Sequence, residues 1–211
     1  MFFRKIIFKY ADSRIEGSWS HKQRLKRFKL FKNFISHLNE VSILDIGGTE
    51  TFWERMNYLQ TPNTRITLLN LTKQKANYPN ICTLIGDGRN MKNFGDKSFD
   101  VVFSNSVIEH VGDLNDQRNM ANEVKRVGQY YFLQTPNYYF PLEPHFLFIG
   151  FQWLPLKFRA FLVRSFNMGW HQKAGSYEES INIVKGVRLL KEYELRELFP
   201  NAEILKEKFC F

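Results

Sequence analysis

Residues 41–53 read VSILDIGGTETFW. An apolar run carries Asp45 near its end, and the only Gly-Gly pair of the chain, Gly47 and Gly48, follows at once. Consecutive apolar residues bounded by turn signals predict a strand buried on both faces, as in a parallel sheet. Glycine lets the chain leave such a strand sharply and lets backbone N–H groups approach a ligand. An isolated Gly-Gly is also satisfied by a plain strand-to-helix turn, so the reading depends on what surrounds it.

Working outward, the same kind of segment recurs. RITLLNL, NICTLIGD, FDVVFSN and QYYFLQTPN read as a second to fifth buried strand, the last halted by Pro136. Helical segments alternate with them: 20–39 with Leu25, Phe28, Phe31, Ile35 and Leu38 on one face, about 51–59, QRNMANEVKRV, and LKEYELRELFP. AEILKEKF is expected as a last strand. Strand-helix alternation predicts an α/β fold, a Rossmann-like doubly wound, mostly parallel sheet with helices on both faces. An aromatic-rich insertion, 137–190, follows strand five and is expected as a helical cap. The expected organisation is a basic N-terminal helical arm over 1–40 and a Rossmann-like domain over 41–211. No internal repeat or low-complexity tract interrupts it.

Composition narrows the class. At 211 residues with 44% hydrophobic and 24% charged, the chain can bury a core and is not disordered. Its net charge is +9, and residues 1–33 alone hold ten Lys and Arg against Asp12 and Glu16. Such a segment favours phosphate-rich partners or an anionic membrane face, or else is a solvated helix face. Cys82 and Cys210 are too few and too far apart for a disulfide framework or a metal-ligand spacing, which suits a reducing, cytoplasmic setting; no metal is expected. The opening MFFRKIIFKY lacks a signal-peptide core, and the nearest membrane-span candidate contains Pro155, Lys157, Arg159 and Arg164.

In doubly wound sheets ligands bind beyond the carboxyl ends of the strands. Asp45 and Gly47, Asn70, Asp87, Asn105 and Thr135 all fall at such ends. The glycine pattern is not G-x-G-x-x-G, because Thr49, Glu50 and Thr51 follow. A pyrophosphate there would meet the charge of Glu50, whereas a ligand with a cationic amino-acid end would not. Asp45 is expected ionised, accepting from the turn or from an ammonium group.

In this order and spacing, ILDIGGTETFW, LLNLT, LIGDGRNM, FDVVFSNSVIEHV and YYFLQTPN resemble class I S-adenosylmethionine-dependent methyltransferases, in particular the type 11 group that acts on small molecules. The resemblance covers 41–137 well and 190–209 less well. It implies S-adenosylmethionine as cofactor, with Asp45, Gly47 and Gly48 at its methionine end. Asn70 stands where the ribose-binding acid is usual. Asp87, with Gly88 and Arg89, is implied at the adenine, and Ser104 and Asn105 at the methyl-donor site. Thr49 and Thr51 stand where glycines are more common. The family's sheet usually closes with a two-strand hairpin; this sequence has room for one of those strands, the other place being open to the N-terminal FFRKIIFKY or a partner chain.

Methyl transfer from a sulfonium asks mainly for alignment and dryness, and a general base only where the acceptor is a hydroxyl. His110 and His145 are the candidates, with Glu143 placed to orient His145. The expected acceptor is a small molecule: a sugar, a lipid-linked or an aromatic compound. Nucleic acid gripped by the basic arm is a rival, disfavoured because SNSVIEH replaces the aromatic-proline tetrapeptide of base-modifying enzymes. A catalytically inactive binding module is another. The insertion's aromatics suggest its own core, a lid over the acceptor, or peripheral membrane contact. No oligomeric state is legible.

Overall fold

The protein was analysed as a computed structural model, which describes residues 12–207. Five strands form one parallel sheet: β1 Val41–Ile46, β2 Thr64–Asn70, β3 Ile81–Ile85, β4 Phe99–Asn105 and β5 Gly128–Gln134. Their order is β3-β2-β1-β4-β5, so the chain steps outward from β1 to one side, then returns to fill the other. This is the doubly wound arrangement expected, with the order reversing between β1 and β4.

Alternate residues of each strand face opposite sides. Ile43, Ile66, Leu68, Val101 and Phe103 pack with Phe28 and Phe31 of α1 (Trp19–Phe34) and with Trp53 of α2 (Glu50–Arg55). Leu44, Ile46, Leu69 and Val102 pack on the other side with Met120, Ala121 and Val124 of α3 (Leu114–Val127). Both faces are therefore dry, which is why the strands read as unbroken apolar runs.

The helix of the basic segment belongs to this core. Ser18 starts α1 by accepting the His21 N–H, and Phe31, fully buried, touches the rings of Phe28, Trp53, Phe103 and Phe132. Its lysines lie on the outer side, whereas Arg24 and Arg27 are half-buried, Arg24 over the Phe52 ring. Leu25, expected on the apolar face, is 43% exposed, because contact with the sheet begins only at Phe28. The second helix ends at Arg55, earlier than expected; Asn57 takes a left-handed φ of 51°.

Residues 202–207 of the expected last strand are not a strand. Side-chain ion pairs, Arg27–Glu207 and Lys206–Glu192, hold this stretch where a backbone ladder would be needed. Among the described residues β5 pairs only with β4. The proposed role of FFRKIIFKY in filling the sheet, and Cys210, lie outside the described residues.

The insertion opens with a small hairpin, β6 Leu142–Glu143 and β7 Phe148–Ile149, before α4 (Leu156–Ser165) and α5 (Tyr177–Lys185), so it is not purely helical. Phe146, Phe151, Leu162, Val163 and Val184 give it a core of its own. Phe158, Phe161 and Phe166 stay exposed. A short α6, Glu192–Leu198, returns to the main domain. No described helix is long and apolar enough to cross a membrane.

Candidate active site

Parallel pairing brings the carboxyl ends of β1, β2 and β4 into one row. Ile46 lies opposite Leu69 and Ser104. The Gly47 N–H donates to the Leu69 carbonyl at 2.8 Å, and the Asn70 side-chain amide donates to the Gly48 carbonyl at 2.9 Å. Asp45, Gly47, Gly48, Asn70, Ser104 and Asn105 thus share one rim. Asn70 spends its donor bracing the first loop.

The glycines are required by the protein's own packing. Gly47 has φ +73°, and a Cβ there would lie 2.6 Å from Val107 Cγ2. A Cβ on Gly48 would lie 1.7 Å from Asp45 Oδ2. The aspartate is folded beneath the loop, 1% exposed, and Trp53 Nε1–H donates to its Oδ2 at 2.7 Å. Burial pushes its carboxyl up to about 8, with the indole hydrogen bond opposing. Of the two partners expected for Asp45, the turn is therefore corrected: the carboxyl accepts from Trp53 of α2 instead, and burial favours its protonated form. Its Oδ1 is buried with no partner among the described residues. A buried acceptor of this kind suits an incoming ammonium group. The neighbouring Glu50 carboxylate is turned to the Asn77 backbone and side-chain amides, both at 2.6 Å.

Asp87 sits just beyond β3. Arg89 engages both of its oxygens, with Nη2 at 2.7 Å, and reaches on to Asp116 and the Val111 carbonyl at 3.0 Å. The hydrogen bond from Arg89 holds the Asp87 carboxyl below its usual range. Arg89 is therefore a clamp that ties the β3 loop to the start of α3. Gly88 lets that loop close on β1, since a Cβ would meet Ile46 Cγ2 at 2.8 Å.

Beyond β4, Ser106 adopts φ 57° and the chain enters a 3-10 turn, Ile108–His110. Glu109 is fully buried, and its Oε2 accepts from the Thr135 hydroxyl at 3.0 Å. Burial pushes its carboxyl up to about 7. His145 comes over from the insertion, its Nδ1 2.7 Å from Glu143 Oε1 and its Nε2 3.9 Å from Glu109 Oε1. Burial works against a charged His145 ring, but the Glu143 hydrogen bond and the two carboxylates hold it above the ordinary value. His110 packs edge-on to His145, ring centres 4.8 Å apart, and burial lowers it. The fold therefore joins His110 and His145, and adds Glu109, which sequence reasoning passed over although it stands in the same IEHV. Trp53 was missed in the same way, in the quoted GGTETFW. Thr49, Ser106, Ile108, Thr135 and His145 line one end of a groove of about 2090 Å³.

Residues 54–129 match the family model described as a methyltransferase domain. Two curated relatives, the uncharacterized proteins MT1557 and Rv1509 of Mycobacterium tuberculosis strains, are each 46% identical over 52 residues. That stretch is 24% of this chain and 17% of each relative's length. Among solved structures, the chain is similar to a SAM-dependent methyltransferase from Methanosarcina mazei (16% identity, 49% of this chain and 55% of that one, TM-score 0.41). It is also similar to a chain of the complex containing the Haloferax volcanii Trm112 methyltransferase activator (15% identity, 87% and 73%, TM-score 0.46). Residues 54–129 are thus similar to a methyltransferase domain, and they run through three of the five strands set in the order β3-β2-β1-β4-β5 and into a fourth.

Proposed function

We propose that this chain methylates a small-molecule acceptor held where the groove that runs along β5 reaches Ser106 and Thr135 at the strand ends and His145 of the insertion. The observation that carries the reading is the methyltransferase-domain match over 54–129, which runs from the helix behind the glycine pair into β5. S-adenosylmethionine, when bound, supplies a methyl group already activated on a sulfonium.

The residues present suit that cofactor. Asp45 Oδ1 is a buried acceptor without a partner among the described residues, and ionised it would hold the amino-acid end. Gly47 and Gly48 shape the loop above it. Asn70 would bond a ribose hydroxyl pair without charge assistance, Asp87 with Gly88 and Arg89 would meet the adenine, and Ser104 and Asn105 would line the methyl-donor side. Arg89 occupies part of the acceptor capacity of Asp87, but each carboxylate oxygen accepts more than one bond. Asp45 must lose its proton to take up an ammonium ion, which couples binding to pH.

The protein's contribution to the chemistry is position. Glu143 fixes the His145 ring, which lines the groove and meets the acceptor's nucleophilic atom, with His110 packed edge-on against it. Tyr139, Phe140 and Trp170 from the insertion line the same groove, which suits an acceptor with an apolar or ring portion. A nucleic-acid acceptor is the second reading, favoured only by Arg24, Lys26 and Arg27 on the groove's other wall. Incubating the chain with methyl-labelled S-adenosylmethionine, a pool of small metabolites and, separately, RNA tests the proposal. Label in the small-molecule fraction supports it; label in RNA moves the reading to the rival; label in neither contradicts it.

A further inference from the structure

We propose that Glu109, His110 and His145 form a binding site for one divalent transition-metal ion of the zinc class, opening into the acceptor groove. Two independent observations carry this. One ligand atom from each of the three residues lies within 4.8 Å of the other two. And Glu109 is fully buried, yet among the described residues its Oε1 has no hydrogen-bond partner, while Oε2 is held by the Thr135 hydroxyl. An unpartnered carboxylate oxygen inside a protein is costly, and here it faces an imidazole nitrogen, His145 Nε2, 3.9 Å away.

The surroundings have the form that metal-binding histidines need. A ligating imidazole donates its other N–H to an oxygen, which sets the tautomer and aims the ring. His145 Nδ1 lies 2.7 Å from the buried Glu143 carboxylate, whose other oxygen accepts from the backbone N–H of His145 and Phe146. His110 Nδ1 lies 3.1 Å from the Gly186 carbonyl. Both rings are thereby left with Nε2 as the nitrogen bearing a lone pair. The Glu109 main chain is anchored too, since its carbonyl accepts from the Arg188 N–H at 2.8 Å. The cluster is thus built by three separate segments: the turn after β4, the hairpin of the insertion, and the loop before α6.

Two histidines and one carboxylate with a vacant coordination position are the donor set of catalytic zinc centres. Ligand bonds of about 2.0–2.2 Å would bring the donor atoms roughly 3–3.5 Å apart, so the three side chains close by about 1 Å around the ion. Glu109 and Glu143 together offset the charge of the ion. The role of the ion rests on the methyl-transfer reading: its open position would take an oxygen or nitrogen of the acceptor and lower that atom's pKa, so that the proton passes to solvent water and His145 acts on the acceptor through the ion. Its binding does not depend on that reading.

The test is titration of the chelator-stripped full chain with Zn²⁺, and with Co²⁺ followed by visible absorption. One ion per chain is expected, with a Co²⁺ spectrum of a four- or five-coordinate nitrogen and oxygen site. His110→Ala, at an exposed position, and Glu109→Gln, which keeps the Thr135 bond, should each weaken binding at least tenfold. Glu143→Gln, which touches the ion only through His145, should weaken it about 10–100-fold. Absence of uptake at micromolar Zn²⁺, or uptake unchanged by all three substitutions, overturns the proposal. S-adenosylhomocysteine binding measured on the same samples separates the two readings. Its persistence without zinc uptake defeats the metal site alone, and zinc uptake without it defeats the methyl-transfer reading alone.

Discussion

Replacing Asp45 by Asn should convert a pH-dependent protein stability into a flatter one. The folded carboxyl is raised from 3.8 to about 8 by burial, so the folded state holds its proton more tightly than the unfolded chain does. Stability from this group is therefore complete below pH 4 and is lost as pH climbs toward 8. Each unit in that window costs about 1.4 kcal/mol, up to about 4 kcal/mol between pH 5 and pH 8. Asparagine keeps an oxygen for the Trp53 N–H and has no proton to lose. Urea unfolding at pH 5, 6, 7 and 8 should show the variant gaining on the parent by roughly 1 kcal/mol per unit, whatever their difference at pH 5. Other titrating groups are common to both chains and cancel. A difference that stays constant across the four pH values would refute the claim that Asp45 is buried and neutral beneath the glycine loop.

Further outcomes follow from the same geometry. Gly48→Ala places a Cβ 1.7 Å from Asp45 Oδ2 and should cost at least about 2 kcal/mol in urea unfolding, well above the usual cost of a surface substitution. Phe31→Ala should lose about 3–5 kcal/mol, because its ring is fully buried among five others; a loss below 1 kcal/mol would mean that α1 is a detachable arm after all. Asn70→Ala removes the bond to the Gly48 carbonyl and should lower stability by about 1 kcal/mol, with a several-fold loss of S-adenosylhomocysteine affinity by fluorescence or calorimetry.

The main sheet was legible because its central strands are buried on both faces. VSILDI and FDVVFSN carry adjacent apolar residues, Ile43–Leu44 and Val101–Phe103, and such runs between turn residues leave little choice. What was not legible depended on partners distant in the chain. Asp45 looked like an ionised strand-tip acid; only the fold brings Trp53 to it and closes water out. The Arg and Lys residues between 20 and 33 suggested an arm, although Phe28 and Phe31, three apart, already marked the face that packs on the sheet. His110 and His145 are 35 positions apart and carry no ligand spacing between them, so their meeting beside Glu109 follows from the insertion folding back over β4. AEILKEKF has strand-like composition, but over 202–207 its charged side chains find ion-pair partners and its backbone finds no ladder.

Calorimetric titration of the full chain with S-adenosylhomocysteine addresses the central claim most directly. The account predicts saturable binding of one molecule per chain, weakened roughly 10–100-fold in Asp45→Asn through loss of a charge-assisted bond. No heat at millimolar ligand, or equal affinity in the two proteins, would contradict it.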